Sequence, residues 1–113
     1  MPGARMRRVN EAVREVLSSQ LAEGLKDPRI GFVTVTGVDT SPDLRAARVY
    51  VSVLGDEGER QAALEGLTSS RGFLQARIAH ELRMKRTPAL SFHHDDTVAR
   101  ADRMMRLLED EDR

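Results

Sequence analysis

Two histidines followed by two aspartates (HHDD, 93–96) are the side chains in this sequence that most resemble a metal site. Imidazole and carboxylate groups together can hold a divalent cation. His93 and His94 are neighbours at the end of a predicted strand, however, so their side chains point to opposite faces. Asp95 and Asp96 also suit the start of a helix, where acidic side chains are favoured. We therefore expect a capped strand end at the surface here, with no bound metal and no cofactor.

Nucleophilic catalysis has little support in the sequence. The chain contains no cysteine, no G-x-S-x-G elbow and no glycine-rich loop that could cradle a phosphate. We therefore expect that the protein is not an enzyme.

The one literal G-x-x-G motif, at residues 55–58, is of the kind with which K-homology (KH) domains clamp a nucleic-acid backbone. In a KH domain the motif lies between two helices, whereas here it lies between a strand pattern and a helix pattern. Its two middle residues, Asp56 and Glu57, would also repel phosphates at close range. We interpret the motif as a turn that starts a helix.

A better placed break is Ser69-Ser70-Arg71-Gly72, which lies between two segments of helical periodicity. Small side chains allow another backbone to approach closely, and the free N–H groups of the following helix favour an anion. A Ser/Gly kink can equally serve only to bend a helix around its core. Residue chemistry alone leaves both interpretations open.

Positive charge is concentrated near two helix ends, although the formal net charge of the chain is zero. The residues concerned are Arg5, Arg7 and Arg8, and then Arg77, Arg83, Lys85 and Arg86. Such clusters suit a polyanion, but a solvated arm and an ordinary helix C-terminus have the same composition. Aromatic residues are sparse, and only Tyr50 is predicted to lie on an exposed strand face. Recognition of a nucleic-acid backbone therefore fits better than base stacking.

The spacing of apolar residues predicts the elements that position these groups. In order they are helix 5–25, strand 32–38, turn 39–44, strand 46–54, helix 59–68, a second helix after the kink, strand 89–93 and a last helix. We expect Asp27-Pro28 to end the first helix. The last helix is predicted to start at Asp96 or Thr97 and to place Val98, Ala101, Met105 and Leu108 on one face. The first two strands are expected to form a hairpin. A three-stranded sheet with helices on one face is the simplest α+β architecture for this order.

The length of 113 residues is that of one ordinary domain. We expect residues 1–113 to form a single domain, with 109–113 (EDEDR) as a frayed acidic tail. The lack of cysteine fits a cytoplasmic protein, and no apolar run approaches the roughly 18 residues that span a bilayer. We expect a cytoplasmic monomer that does not bind membranes.

Residues 27–55 (DPRIGFVTVTGVDTSPDLRAARVYVSVLG) closely resemble the bacterial ribosome-binding factor A family. The resemblance extends over nearly the whole chain, including MRRVNEAVREVLSSQL and SRGFLQARIAHELRMKRTPALSF. It implies a KH-like (type II) fold that lacks the usual G-x-x-G and has a kinked helix pair marked by an Ala-x-Gly element. By position that element is Ser70-Arg71-Gly72 here. Serine in place of alanine keeps the side chain small and adds a hydroxyl that is able to cap the second helix, so the residues leave the geometry of the kink open.

The resemblance also implies a function: binding to the small (30S) ribosomal subunit and its 16S ribosomal RNA, in late subunit maturation, 16S RNA processing and growth in the cold. The RNA contacts predicted on this basis lie in the kink, the basic helix end and the N-terminal arm. They are Ser70, Arg71 and Gly72, then Arg77, Arg83, Lys85 and Arg86, and finally Arg5, Arg7 and Arg8. The alternative is a KH-like protein–protein adaptor that uses its apolar helix faces and acidic tail without direct RNA contact.

Overall fold

The computed structural model describes residues 2–96, 101, 104–106 and 108–109. Its elements are α1 (Pro2–Glu23), β1 (Val33–Thr40), β2 (Ala46–Val53), α2 (Glu57–Ser69), α3 (Arg71–Leu82) and β3 (Ala89–His94). The predicted order of helices and strands is therefore confirmed as far as β3. In the predicted last helix, positions 101, 104–106 and 108–109 are helical. Thr97, Val98 and the tail residues 110–113 lie outside the described residues.

The three strands form one sheet in the order β1-β2-β3. β1 and β2 pair antiparallel, which confirms the predicted hairpin, and β2 and β3 pair parallel. A parallel pair needs a long crossover connection because the chain must return to the end of the sheet at which the first of the two strands began. Helices α2 and α3 form that connection, so the kink between them lies within the crossover.

The core lies between one face of the sheet and the helices α1, α2 and α3. Its fully buried side chains include Val13, Leu17, Val49, Val51, Leu67, Leu74 and Ile78. The valines at alternate positions of β2 all lie on this face, because successive side chains of a strand point to opposite faces. The predicted α+β architecture is thus confirmed.

The end of α1 differs from the prediction. The helix ends at Glu23, because Gly24 adopts the left-handed conformation (φ 92°) and its N–H donates to the carbonyl of Leu21 at 3.2 Å. Glycine takes this conformation without the steric cost that a Cβ imposes. The expectation that Asp27-Pro28 ends the helix is therefore wrong.

The rejected G-x-x-G motif is the start of α2, as predicted. Asp56 is the N-cap, and its carboxylate accepts a hydrogen bond from the backbone N–H of Glu59 at 2.8 Å. The Glu59 side chain reaches back to the N–H of Asp56, which completes a capping box. The two acidic residues of the motif thus stabilise a helix start.

Tyr50 corrects another prediction, because only 5% of it is exposed although it lies on the sheet face away from the core. Its ring contacts that of His93, with centroids 5.8 Å apart. The register of β1 shifts between Val35 and Gly37, so Thr36 forms a β-bulge. The Thr36 hydroxyl lies 2.6 Å from a carboxylate oxygen of Asp95, which is buried. Among the described residues, no three His, Asp or Glu side chains gather closely enough to hold a metal ion.

Candidate nucleic-acid interface

The start of α1 and the turn between α3 and β3 lie at the same end of the sheet. The Asn10 side-chain oxygen accepts a hydrogen bond from the N–H of Thr40 at 2.8 Å, which places the start of α1 beside the end of β1. The N–H of Ala89 donates to the carbonyl of Arg45 at 2.9 Å, which places the start of β3 beside the β1–β2 turn. Basic residues of three segments thus lie at this end of the sheet, and we call this surface the basic end. Its members are Arg5, Arg7, Arg8, Arg45, Arg83, Lys85 and Arg86.

All members of the basic end are exposed to solvent. Within the described part of the chain, Arg83, Lys85 and Arg86 make no ion pair. Arg45 lies 3.9 Å from the carboxylate of Asp43, whose pKa is lowered by a hydrogen bond from Ser41 and another from the Arg45 backbone. The surface keeps a surplus of positive charge, which is what contact with phosphates requires.

Arg45 is the member of the basic end that the sequence prediction missed. It stands in a turn between two strands, and in the sequence it is far from both predicted basic clusters. The strand register brings it next to the second cluster, since Ala46 pairs with Ala89. In the sequence, the only local indication of its role was that Arg45 directly precedes the first residue of a predicted strand.

Arg83 ends α3 in the left-handed conformation (φ 52°, ψ 43°). The N–H of Met84 then donates to the carbonyl of Ala79 at 3.1 Å, which closes the helix. A side chain with a Cβ is strained in this conformation. Arg83 is therefore part of the helix ending as well as of the basic end, whereas Lys85 and Arg86 follow it in the turn.

The kink between α2 and α3 consists of the single residue Ser70. Its backbone (φ −88°, ψ 3°) lies outside the helical region, and its N–H donates to the carbonyls of Gly66 and Leu67 at 3.0 and 3.1 Å. Its hydroxyl, which is able to cap a helix, makes no cap hydrogen bond to α3. The break is a short interruption that redirects one helix into the next.

Gly72 is exposed in the first turn of α3, and the fold does not account for its lack of a side chain. Its φ is not positive, and a Cβ built on it would meet no atom within 4 Å. Glycine inside a helix is less stable than alanine by about 0.5–1 kcal/mol. Beside the exposed Arg71, Gly72 thus leaves bare backbone facing solvent, where another backbone can come close.

A second feature missed by the sequence prediction is the loop that holds the kink in place. The Arg29 guanidinium donates to Asp27 Oδ2 at 2.6 Å and to the Ser69 hydroxyl at 2.9 Å. Ser69 is the last residue of α2, directly before the kink. The Asp27-Pro28-Arg29 segment therefore links the loop after α1 to the kink, and the i, i+2 spacing of opposite charges was its only signal in the sequence.

The hydrogen bonds from Arg29 hold the pKa of Asp27 at about 2. A lowered pKa stabilises the folded chain at pH values above the ordinary carboxyl range, and this contribution is lost as the pH falls towards about 2. We expect Asp27→Asn to lower the urea midpoint at pH 7 and to lower it by less at pH 3, where part of the contribution is already lost. Glu23→Gln, which removes a carboxylate with no described ion pair, should leave the midpoint unchanged at both pH values. An equal effect of Asp27→Asn at both pH values would contradict this account.

The kink lies at one end of α3, and the turn that carries Arg83, Lys85 and Arg86, which we call the basic turn, lies at the other. A helix of 12 residues is about 18 Å long, which sets the separation of the two surfaces. Arg77 lies between them, and its guanidinium is bonded to Glu81 at 2.7 Å, in a small cleft that Glu15 and Glu23 of α1 also line. The predicted N-terminal arm is thus the start of α1 and lies at the same end of the sheet as the basic turn, whereas the kink lies apart from both and Arg77 is engaged in an ion pair.

Comparison with known proteins shows what the chain is similar to. It matches the family model for ribosome-binding factor A over residues 5–108. The ribosome-binding factor A of Anaeromyxobacter dehalogenans (strain 2CP-C) is 55% identical over 102 residues, which are 89% of this chain and 74% of that relative. The crystal structure of ribosome-binding factor A from Thermus thermophilus has a TM-score of 0.69 and 29% identity, and the match covers 79% of this chain and 94% of that one.

A homology model of the Thermus thermophilus factor, fitted into a cryo-electron microscopy map of a 30S complex, has a TM-score of 0.58 and 31% identity. That match covers 81% of this chain and 92% of the fitted one. The shared fold confirms the KH-like arrangement that the resemblance implied. With the match spanning most of the sequence, the chain belongs to the ribosome-binding factor A family.

Proposed function

We propose that this chain is a ribosome assembly factor that binds the small (30S) ribosomal subunit through its 16S ribosomal RNA. The observation that carries the proposal is the basic end, where exposed cations of three separate segments lie at the same end of the sheet. Family membership supports the same conclusion, and a relative has been fitted into a map of a 30S complex. Neither the proposed binding nor its consequence involves a catalytic step.

Phosphate contacts position a protein on its RNA and carry little sequence information. In our proposal the basic end supplies most of these contacts, and Ser70, Arg71 and Gly72 supply the rest where bare backbone is exposed. The two surfaces are held about 18 Å apart by α3, whose inner face is anchored by the buried Leu74 and Ile78. A rigid spacing of this kind selects RNA by the path of its backbone.

The proposed role extends to late maturation of the subunit, to 16S RNA processing and to growth in the cold, with the chain acting as a cytoplasmic monomer. These points rest on the family resemblance. Over the ranges that the structure describes, no helix is long and apolar enough to cross a membrane.

The direct test is co-sedimentation of the chain with purified small and large subunits over a range of salt concentrations, followed by chemical footprinting of the 16S RNA. We expect binding to small subunits, a steep loss of binding with salt, and a limited set of protected nucleotides. Equal binding to both subunits would indicate an unspecific attraction to polyanions. Binding to small subunits that is insensitive to salt and leaves no footprint would favour the protein–protein adaptor.

Gly72→Ala separates a role in binding from a role in folding. We expect the variant to be as stable as the parent or more stable by up to about 1 kcal/mol, because alanine favours a helix and its Cβ meets no atom within 4 Å. We also expect its affinity for small subunits to fall several-fold, since the methyl group stands where RNA backbone would approach.

Gly31→Ala is the matched control, because Gly31 is also exposed and its added Cβ also meets nothing within 4 Å. That control should bind small subunits as the parent does. Thermal unfolding and co-sedimentation of all three proteins provide the measurement. If Gly72→Ala binds with unchanged affinity, the kink bends the helix and does not contact RNA.

A further inference from the structure

The end of the sheet opposite the basic end carries two exposed apolar side chains. Phe32 is 81% exposed and Leu54 is 77% exposed. They lie side by side, because the N–H of Leu54 donates to the carbonyl of Phe32 at 3.2 Å. Single exposed apolar residues are common on proteins, whereas adjacent ones mark an interaction surface more often.

The strand register places this pair on the sheet face away from the core. Val33 pairs with Val53, and both contribute to the core face. Phe32 and Leu54 occupy the next register position, so their side chains point to the opposite face. The exposed pair Thr34 and Ser52 continues the same face. We call these four residues the sheet-end strip.

The charge beside the sheet-end strip is negative. Asp56 and Glu57 follow Leu54 within three residues, and both are exposed. Asp56 is the N-cap of α2, so its carboxylate is held in the turn that directly follows Leu54. The two ends of the sheet therefore differ in both polarity and sign of charge.

We propose that the sheet-end strip docks a basic polypeptide segment that carries apolar side chains. The apolar pair would cover those side chains, Thr34 and Ser52 are small enough to admit an extended chain, and Asp56 and Glu57 would face its cations. An exposed phenylalanine can stack on an RNA base, but the carboxylates of the adjoining turn would repel the phosphates of that RNA. We infer that this segment belongs to a protein component of the small subunit, and this inference rests on the proposed function.

Site-specific cross-linking tests the proposal on the full chain bound to purified small subunits. With p-benzoylphenylalanine in place of Phe32, we expect cross-links to a lysine- and arginine-rich segment of a subunit protein. The matched control carries the same group in place of Phe73, an exposed aromatic residue next to the kink, and should give no such product. Cross-links from position 32 to RNA, to a second copy of the chain, or to nothing would each overturn the proposal.

A double substitution, Phe32→Ser with Leu54→Ser, tests the contribution to binding. We expect affinity for intact small subunits to fall about tenfold while affinity for protein-free 16S RNA and the melting temperature stay unchanged. Glu57→Lys should lower subunit affinity in the same direction, and Glu23→Lys, an exposed control on α1, should not. Equal losses of affinity for the intact subunit and for free RNA would overturn the proposal.

The two hypotheses fail in different ways. If the parent chain does not bind small subunits at all, the proposed function fails and the inference fails with it. If the parent binds and the double substitution changes nothing, only the sheet-end strip is wrong.

Discussion

Replacing Lys85 and Arg86 together by glutamine should weaken binding to small subunits on the order of 10- to 50-fold near 0.1 M salt. With each phosphate contact that is lost, one counterion fewer is released on binding, so affinity falls. The slope of the logarithm of the binding constant against the logarithm of the salt concentration becomes shallower by almost one per contact. Both side chains are exposed and lie in a turn, so the stability of the fold should not change. Arg83 is left intact because its left-handed backbone is part of the ending of α3.

The matched control is Lys26→Gln with Arg48→Gln, which removes the same charge from exposed positions outside the basic end. If attraction depends on the net charge alone, the two double variants will bind equally weakly. If the basic end makes the contacts, the control keeps most of its affinity and its salt dependence. Binding isotherms at three or more salt concentrations measure both quantities. Parent-like affinity of the Lys85/Arg86 variant would remove this surface from the interface.

Gly66→Val should destabilise the folded chain by about 2–3 kcal/mol, the upper range for overpacking a filled site. Gly66 is buried in α2 beneath the loop that holds the kink, and a Cβ built on it would lie 2.7 Å from Ile30 Cγ1. The Asp27 carboxyl carbon, at 3.3 Å, closes the same space from another side. The loop must therefore move outwards. For a domain of this size we expect a fall in melting temperature of roughly 10 °C or more.

Gly72→Val is the control for the helix preference of valine itself. The two glycines lie on either side of the kink, and at Gly72 an added Cβ meets no atom within 4 Å, so the expected change is within about 0.5 kcal/mol. Combining Gly66→Val with Ile30→Ala should destabilise by less than the sum of the two single changes, because the second change removes the clashing atom. Additive losses would show that the contact with Ile30 is not the cause.

The local patterns in the sequence predicted the secondary structure well where one signal acted alone. Alternating valines along 49–53 determined which face of β2 is buried, and the acidic residues after Gly55 marked a helix start. The prediction failed at the end of α1, where two stop signals lay close together. Gly24 ended the helix before the proline could, because a left-handed glycine terminates the hydrogen-bond ladder directly.

Tyr50 and Thr36 show what a pattern of alternation cannot determine. Alternation correctly assigned Tyr50 to the face away from the core, but it carries no information on what covers that face. The bulge at Thr36 was equally invisible, because it exists only through the pairing of β1 with β2. Both features depend on partners that are distant in the sequence.

The same distinction between local sequence and distant contacts applies to the candidate interface. The sequence by itself determined the α+β fold, the position of the break at residues 69–72 and the basic character of both helix ends, since these follow from local composition and spacing. Only the tertiary structure decided that the start of α1, Arg45 and the basic turn lie at one end of the sheet, and that Phe32 meets Leu54 at the other end. The physical reason is that strand pairing and helix docking are contacts between distant segments. They decide which charges and which apolar groups become neighbours.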